Sequence, residues 1–138
     1  MTERRDLRII AGMSIKYYLR FVWLLLALAA PVQAAVSERI LLQASPLAGF
    51  QYHAGRQVWD DLREGDALEL VREADNAFDP RAVRVLWHGT MLGYVPRRDN
   101  EAVARLLDRG TPLEARITRL VKTRNPWQRI LFEVYLPL

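Results

Sequence analysis

Beyond residue 36, apolar and polar residues alternate in short runs that turn-forming residues separate. A period of two is typical of strands with one buried face, and these runs predict strands over residues 67–72, 82–87, 91–95, 112–122 and 127–136. Residues 37–52 predict one long bent strand or two short strands, with Gly49 at the bend. Residues 88–90 predict a tight hairpin turn. We therefore expect about six short strands in all.

One segment has helical periodicity instead, because its apolar residues fall three and four positions apart at Ala102, Val103, Leu106 and Leu107. Asp99 or Asn100 is placed to cap the first turn of this predicted helix, and Gly110 is placed to end it. Residues 55–65 predict a connection with one buried aromatic residue, Trp59.

The fold class follows from how short antiparallel strands bury their apolar faces. Strands of this length do so by closing on themselves, which favours a mainly β fold, a small closed antiparallel barrel of OB or SH3-like type with one short α-helix. A β-sandwich is the alternative, since strand order is not visible in a sequence.

Residues 1–34 have a different pattern. A basic segment ends at Arg20, an uncharged apolar run covers residues 21–30, and small residues follow. This order is typical of a secretory signal peptide cleaved after Ala34. A start at Met13 would give a more typical leader. The alternative is an uncleaved inner-membrane anchor, although residues 21–35 are shorter than the roughly 20 residues of a spanning helix.

A cleaved leader predicts an exported protein, periplasmic or extracellular, without stable membrane insertion. Residues 35–46 would then form an N-terminal strand or linker, and residues 47–138 the folded domain.

Net charge says little about partners. The formal charge is +4. Residues 1–34 supply +3, from five basic and two acidic side chains, and the remaining chain supplies +1, from fifteen basic and fourteen acidic side chains. Only local clustering of charge therefore indicates an anionic partner. The chain has no cysteine, which excludes disulfides, thiolate metal sites and cysteine nucleophiles.

The most informative chemistry lies in residues 71–85, where strand-type residues give way to a polar loop and then resume. Asn and Asp side chains bond nearby backbone groups, so such a loop can hold a fixed shape. Its acidic residues lack the glycine and distant glutamate of a calcium loop. His53 and His88 lie on separate connections. We therefore expect no catalytic residues, no metal and no cofactor.

Aromatic and arginine residues interleave around this loop, as Phe50, Tyr52, Phe78 and Tyr94 with Arg56, Arg72, Arg97 and Arg98. Bases stack on aromatic rings and phosphates pair with guanidinium groups, so the pattern is typical of a surface for single-stranded nucleic acid. The alternative is that the aromatic rings fill the core.

Three motifs resemble those of the HIRAN domain family: Gly49-Phe50-Gln51-Tyr52, Asn76-Ala77-Phe78-Asp79 and Leu92-Gly93-Tyr94-Val95-Pro96-Arg97. Their order and spacing are similar to the family pattern over residues 47–136. The resemblance implies a modified OB barrel that captures single-stranded DNA by its 3′ end. Together with the aromatic and arginine pattern, it predicts a nucleic-acid-binding surface formed by Gln51, Tyr52, Arg72, Asn76, Phe78, Asp79, Tyr94 and Arg97.

The resemblance also implies a specific binding role for five of these residues. Tyr52 and Phe78 would stack on the terminal bases, Asn76 and Asp79 would bond the terminal nucleotide, and Arg97 would pair with phosphate. A carboxylate at Asp79 repels a continuing phosphodiester but accepts a hydrogen bond from a free 3′-hydroxyl.

The chain departs from the family pattern at two positions. Gln51 stands where DNA-binding relatives have arginine, and Ala77 stands where they have proline. Two hypotheses follow: a non-catalytic module for single-stranded DNA ends, or an exported interaction domain that binds a protein or an envelope component.

The leader pattern makes a prediction about location. Fractionation of producing cells should find a species that begins at Ala35 outside the cytoplasm. N-terminal sequencing of the exported fraction checks this, and a full-length chain confined to the soluble cytoplasm would contradict it.

Overall fold

The computed structural model describes residues 38–138, so the predicted signal peptide and its cleavage site lie outside the described residues. Within that range the strands are β1 (Arg39–Pro46), β2 (Ala67–Arg72), β3 (Val83–Trp87), β4 (Thr90–Tyr94), β5 (Glu114–Leu120) and β6 (Ile130–Pro137). The α-helices are α1 (Gly55–Val58) and α2 (Glu101–Asp108). Single 3₁₀ turns cover Phe50–Tyr52, Trp59–Asp61 and Pro126–Gln128. In residues 38–138, no helix is long and apolar enough to cross a membrane.

All six strands form one antiparallel sheet in the order β1-β6-β5-β2-β3-β4, which confirms the mainly β prediction. The outer strands β1 and β4 approach each other just after β1 ends, where Ala48 and Tyr94 exchange two backbone hydrogen bonds of 2.9 Å. Gly93 permits this approach, because a Cβ there would lie 2.2 Å from the Ala48 carbonyl oxygen. A single bridge is not a ladder, so a fully closed barrel is not confirmed over residues 38–138.

The core confirms the period of two in the strands. Alternate residues of β3, β5 and β6 are buried together, namely Val83, Val85, Ala115, Ile117, Phe132 and Val134. The amphipathic helix α2 adds Val103 and Ala104 to this cluster.

Two strand predictions were wrong because local turns end the extended backbone. Gly49 has a φ of 75°, and the chain then turns through Phe50–Tyr52 instead of continuing as a strand. Pro126–Gln128 also forms a turn, since the Asn125 side chain accepts from the Trp127 backbone N–H at 3.1 Å, so β6 begins only at Ile130.

The prediction of one short helix missed α1 (Gly55–Val58), which lies in the predicted connection. Gly55 lets this helix pack against the Phe50 ring, because any Cβ would clash with that ring. Trp59 is only partly buried there and meets the same ring edge-on at 5.7 Å.

The hairpin and the predicted helix are confirmed. His88 and Gly89 both have positive φ, 46° and 76°, as a two-residue turn between twisted strands requires. Helix α2 is followed by Gly110 with a φ of 74°, which is the expected left-handed end.

Candidate nucleic-acid interface

The loop between β2 and β3 holds its shape through its own polar side chains. The Asn76 Oδ1 atom accepts hydrogen bonds from the backbone N–H groups of Phe78 (2.9 Å) and Asp79 (3.0 Å). The Asn76 amide also donates to Glu73 Oε2 at 2.7 Å, and Asp79 Oδ1 accepts from the Arg81 backbone N–H at 2.9 Å. This is the local bonding that the Asn and Asp residues predict.

A fully buried side chain, Asn100, fixes the loop to the beginning of α2. Its amide donates to Asp79 Oδ2 at 2.7 Å. Asn100 is the N-cap residue of α2, as predicted, but its side chain makes no capping hydrogen bond and bonds the loop instead. Within residues 38–138, the Asn100 Oδ1 atom has no hydrogen-bond partner.

Arg72, which was predicted to bind nucleic acid, supports the other end of the loop. Its guanidinium donates to Asp108 Oδ1 at 2.8 Å and to the backbone carbonyl oxygens of Ala82 and Pro80 at 2.7 and 3.0 Å. These acceptors occupy the guanidinium group and join β2, the loop and α2.

An open groove of about 360 Å³ lies against the loop. Five of the predicted binding residues line this groove together: Asn76, Phe78, Asp79, Tyr94 and Arg97. Gln51, Tyr52 and Arg72 are outside its lining. The sequence motifs on the β2–β3 loop and on β4 therefore meet at one surface, which we call the end groove.

Exposure separates the aromatic residues into core and surface. Phe50 is 1% exposed and belongs to the core. For this residue the alternative prediction, that the aromatic rings fill the core, is correct. Phe78 is 87% exposed and Tyr52 is 80% exposed, although both are large aromatic side chains. Tyr94 is half-buried in the wall of the end groove.

Gln51 and Tyr52 lie on the 3₁₀ turn that follows Gly49, and Ala48, just before that turn, lines the groove. The next residue, His53, places its ring edge-on to the Tyr94 ring at 5.6 Å between centroids. Tyr52 is thus adjacent to the end groove without forming part of its wall.

Trp127 also lines the end groove, although no motif in the sequence identified it as a binding residue. It is 49% exposed and follows Asn125, whose Oδ1 atom accepts from the Trp127 backbone N–H. The same arrangement, an asparagine two residues before an exposed aromatic residue, occurs at Asn76 and Phe78. An Asn-x-aromatic pattern in a loop was the available signal.

Two carboxyl groups of the loop have lowered pKa values. Hydrogen bonds from the Asn76 amide and the Tyr94 hydroxyl lower the pKa of the Glu73 carboxyl. Burial by itself raises the pKa of the Asp79 carboxyl, but hydrogen bonds and nearby arginine charges outweigh burial and lower it. Both groups are therefore anionic at neutral pH, so Asp79 presents a carboxylate to the end groove.

The Tyr94 hydroxyl remains a hydrogen-bond donor at neutral pH. Burial and the hydrogen bond to Glu73 Oε2, at 2.8 Å, raise its pKa above the ordinary tyrosine value. In residues 38–138, no group of three or more His, Asp or Glu side chains is arranged to hold a metal ion.

The family model of the HIRAN domain matches residues 40–138. A curated rice protein (Oryza sativa subsp. japonica), named Fanconi-associated nuclease 1 homolog, is 45% identical over 53 residues. That match covers 36% of this chain and only 6% of the rice protein, so it concerns a small part of that relative.

Two solved structures share the fold. A crystal structure of a protein from Lactobacillus plantarum superposes with a TM-score of 0.58 and 26% identity, covering 71% of this chain and 97% of that one. The crystal structure of the HIRAN domain of human HLTF gives a TM-score of 0.55 and 18% identity, covering 70% and 78%. At that identity the human domain is similar in fold alone.

The Tyr94 to Glu73 hydrogen bond predicts a pH-dependent loss of stability in Tyr94→Phe. A carboxyl whose pKa is lowered by folding adds stability above its unfolded pKa, about 4.3 for glutamate, and loses it as pH falls through the folded pKa. The variant should therefore unfold more easily by about 1 kcal/mol at pH 7, and the difference should shrink at pH 3.

Urea unfolding of both chains at the two pH values measures this difference. Tyr52→Phe is the matched control, because its hydroxyl is on an 80% exposed side chain, and it should change stability by less than about 0.5 kcal/mol. A Tyr94→Phe effect of equal size at pH 7 and pH 3 would contradict the proposed bond to an ionised Glu73.

Proposed function

The chain belongs to the HIRAN domain family, whose members are nucleic-acid-binding modules, and from this premise we propose that it binds single-stranded DNA at the 3′ end without catalysing a reaction. One observation supports the proposal most strongly. Two exposed aromatic rings, Phe78 and Trp127, line the same open groove as the Asp79 carboxylate and the exposed Arg97. The groove therefore combines surfaces for bases, for phosphate and for a hydroxyl group.

The rings supply the sequence-independent part of binding. Every base has a π-face, and stacking on an aromatic side chain is worth about 1 to 3 kcal/mol per base. Phe78 and Trp127 are each held by an asparagine turn, so less conformational freedom is lost when a base stacks on them. Tyr52, adjacent to the groove and 80% exposed, extends the stacking surface to a further base.

Arg97 supplies the electrostatic part. Its side chain is exposed at the groove, and a guanidinium group pairs with phosphate through charge-assisted hydrogen bonds. Gln51, on the adjacent turn, adds no such charge, so we expect affinity to be modest and best measured at low salt.

Asp79 distinguishes a free 3′ end of the strand from a position that carries a phosphate. A carboxylate has about four acceptor positions, and the hydrogen bonds from Arg81 and Asn100 use two of them. The remaining positions can accept from a 3′-hydroxyl, whereas a phosphate at that place would bring two anions together. Because Asn100 is buried and holds Asp79 in place, the carboxylate cannot simply turn away.

We also propose that this binding occurs outside the cytoplasm, since residues 1–34 have the pattern of a leader. The ligand would then be DNA that reaches the periplasm or the medium.

Replacing Asp79 by Asn tests the selection of an end. The wild-type chain should bind a short strand with a free 3′-hydroxyl more tightly than the same strand with a 3′-phosphate, and Asp79→Asn should reduce that preference. The substitution keeps the size of the side chain. The unpaired Asn100 Oδ1 can accept from the new amide after rotation, so the loop need not change shape.

Fluorescence anisotropy with both strands at about 50 mM salt measures the preference. Asp75→Asn is the matched control, because this exposed carboxylate lies on the same loop but does not line the groove. Tyr52→Ala should weaken both ligands alike, by about 1 to 3 kcal/mol. Equal binding of free and blocked ends would overturn end capture and favour an exported interaction domain for a protein or an envelope component.

A further inference from the structure

A second open groove, of about 320 Å³, lies against the connection between β5 and β6. Three cationic side chains line it, those of Arg56, Lys122 and Arg129, together with the Trp59 ring and one acidic residue, Asp60. We call this surface the basic groove. Its chemistry differs from that of the end groove, where a carboxylate and a single arginine face each other.

The cations of the basic groove are available to a ligand. Among residues 38–138, Arg56, Lys122 and Arg129 take part in no ion pair. Arg56 and Lys122 are exposed. Arg129 is held in place, because its Nε donates to the Thr123 carbonyl oxygen at 2.8 Å and its guanidinium lies 5.7 Å from the Phe50 ring centroid.

The charge of this region differs from that of the domain as a whole, which is nearly neutral. Residues 115–129 contain five basic side chains and no acidic one, whereas residues 38–138 as a whole have fifteen basic and fourteen acidic. A local excess of this kind attracts a polyanion even when the net charge of the domain is small.

The two grooves share one structural element, the β5–β6 connection. This connection contributes Trp127 to the end groove and both Lys122 and Arg129 to the basic groove, and Arg129 comes directly after the turn that presents Trp127. A strand whose last base stacks on Trp127 can follow this connection to the basic groove.

We propose that the basic groove binds backbone phosphates of single-stranded DNA on the 5′ side of the captured end, an inference that rests on the proposed function. Arg56 and Lys122 pair with phosphates, and the partly exposed Trp59 contacts a base or sugar. An OB fold covers about 4 to 16 nucleotides of single strand, so we expect a ligand strand that extends beyond the end groove. The connection between β5 and β6 then separates two subsites of one interface.

Strand length tests this inference. The full-length chain is titrated with oligothymidylates of about 3 and about 12 nucleotides, both with a free 3′-hydroxyl and both at several salt concentrations. The longer strand should bind more tightly and with a steeper salt dependence. In the double variant Arg56→Ala, Lys122→Ala, the slope for the longer strand should fall by about 1.4, because each phosphate that a cation neutralises on a single strand adds about 0.7. Binding of the short strand should not change.

Arg109→Ala is the charge control, because this exposed arginine lines neither groove, and it should leave both strands unaffected. If the wild-type chain binds both lengths equally, or if the double variant loses no slope, the basic groove is not a subsite although end capture stands. If Arg109→Ala lowers the slope of the salt dependence equally, the loss is a general effect of charge, and the subsite proposal is overturned. If neither strand binds, the proposed function fails and this inference fails with it.

Discussion

The arrangement of the end groove depends on the hydrogen bond from the buried Asn100 amide to the Asp79 carboxylate, 2.7 Å long. A loop between two strands is normally mobile and variable. Here one end of the loop is attached to α2 through Asn100, and the other through Arg72 and Asp108. Between these attachments Asn76 folds the backbone upon itself. Asp79 is therefore fixed as an anion at a surface where a free carboxylate would otherwise change rotamer.

This rigid loop explains how large aromatic side chains can remain exposed. Phe78 gains little from burial in the free protein, so its position is set by the Asn76 turn beneath it, and the Asn125 turn does the same for Trp127. Exposed rings cost little stability when they are separate, but they provide binding energy once bases cover them. Tyr94, at the end of β4, pairs with Ala48, and both residues line the same groove as the two rings.

Much of the fold could be predicted from the sequence because its strands have one buried face, as Val83, Val85 and Arg84 show on β3. The period of two is a local property, and so is the positive φ of Gly89 in the hairpin. A strand prediction was wrong where a side chain formed a hydrogen bond with the backbone and so made a turn in place of extended chain. Trp127 is an example, since the Asn125 turn replaces the beginning of a strand.

The candidate site was only partly predictable, because contacts between distant segments decide it. The motifs identified Phe78, Asp79 and Arg97, which do meet in one groove. They could not reveal that Arg72 is occupied by Asp108, a residue 36 positions away. Nor could they reveal that the side chain of Asn100, the N-cap residue of α2, donates to Asp79 of the loop. In both cases the hydrogen-bond partner of the polar side chain lies far away in the sequence.

If the end groove holds a DNA strand, two-dimensional NMR of the ¹⁵N-labelled chain, titrated with a thymidine trinucleotide that has a free 3′-hydroxyl, should detect the contact. We expect progressive shifts of the Trp127 indole N–H and of the Phe78 and Arg97 backbone N–H groups, while β1 (Arg39–Pro46) is unaffected. Shifts confined to β1, or none at saturating trinucleotide, would contradict binding in the end groove.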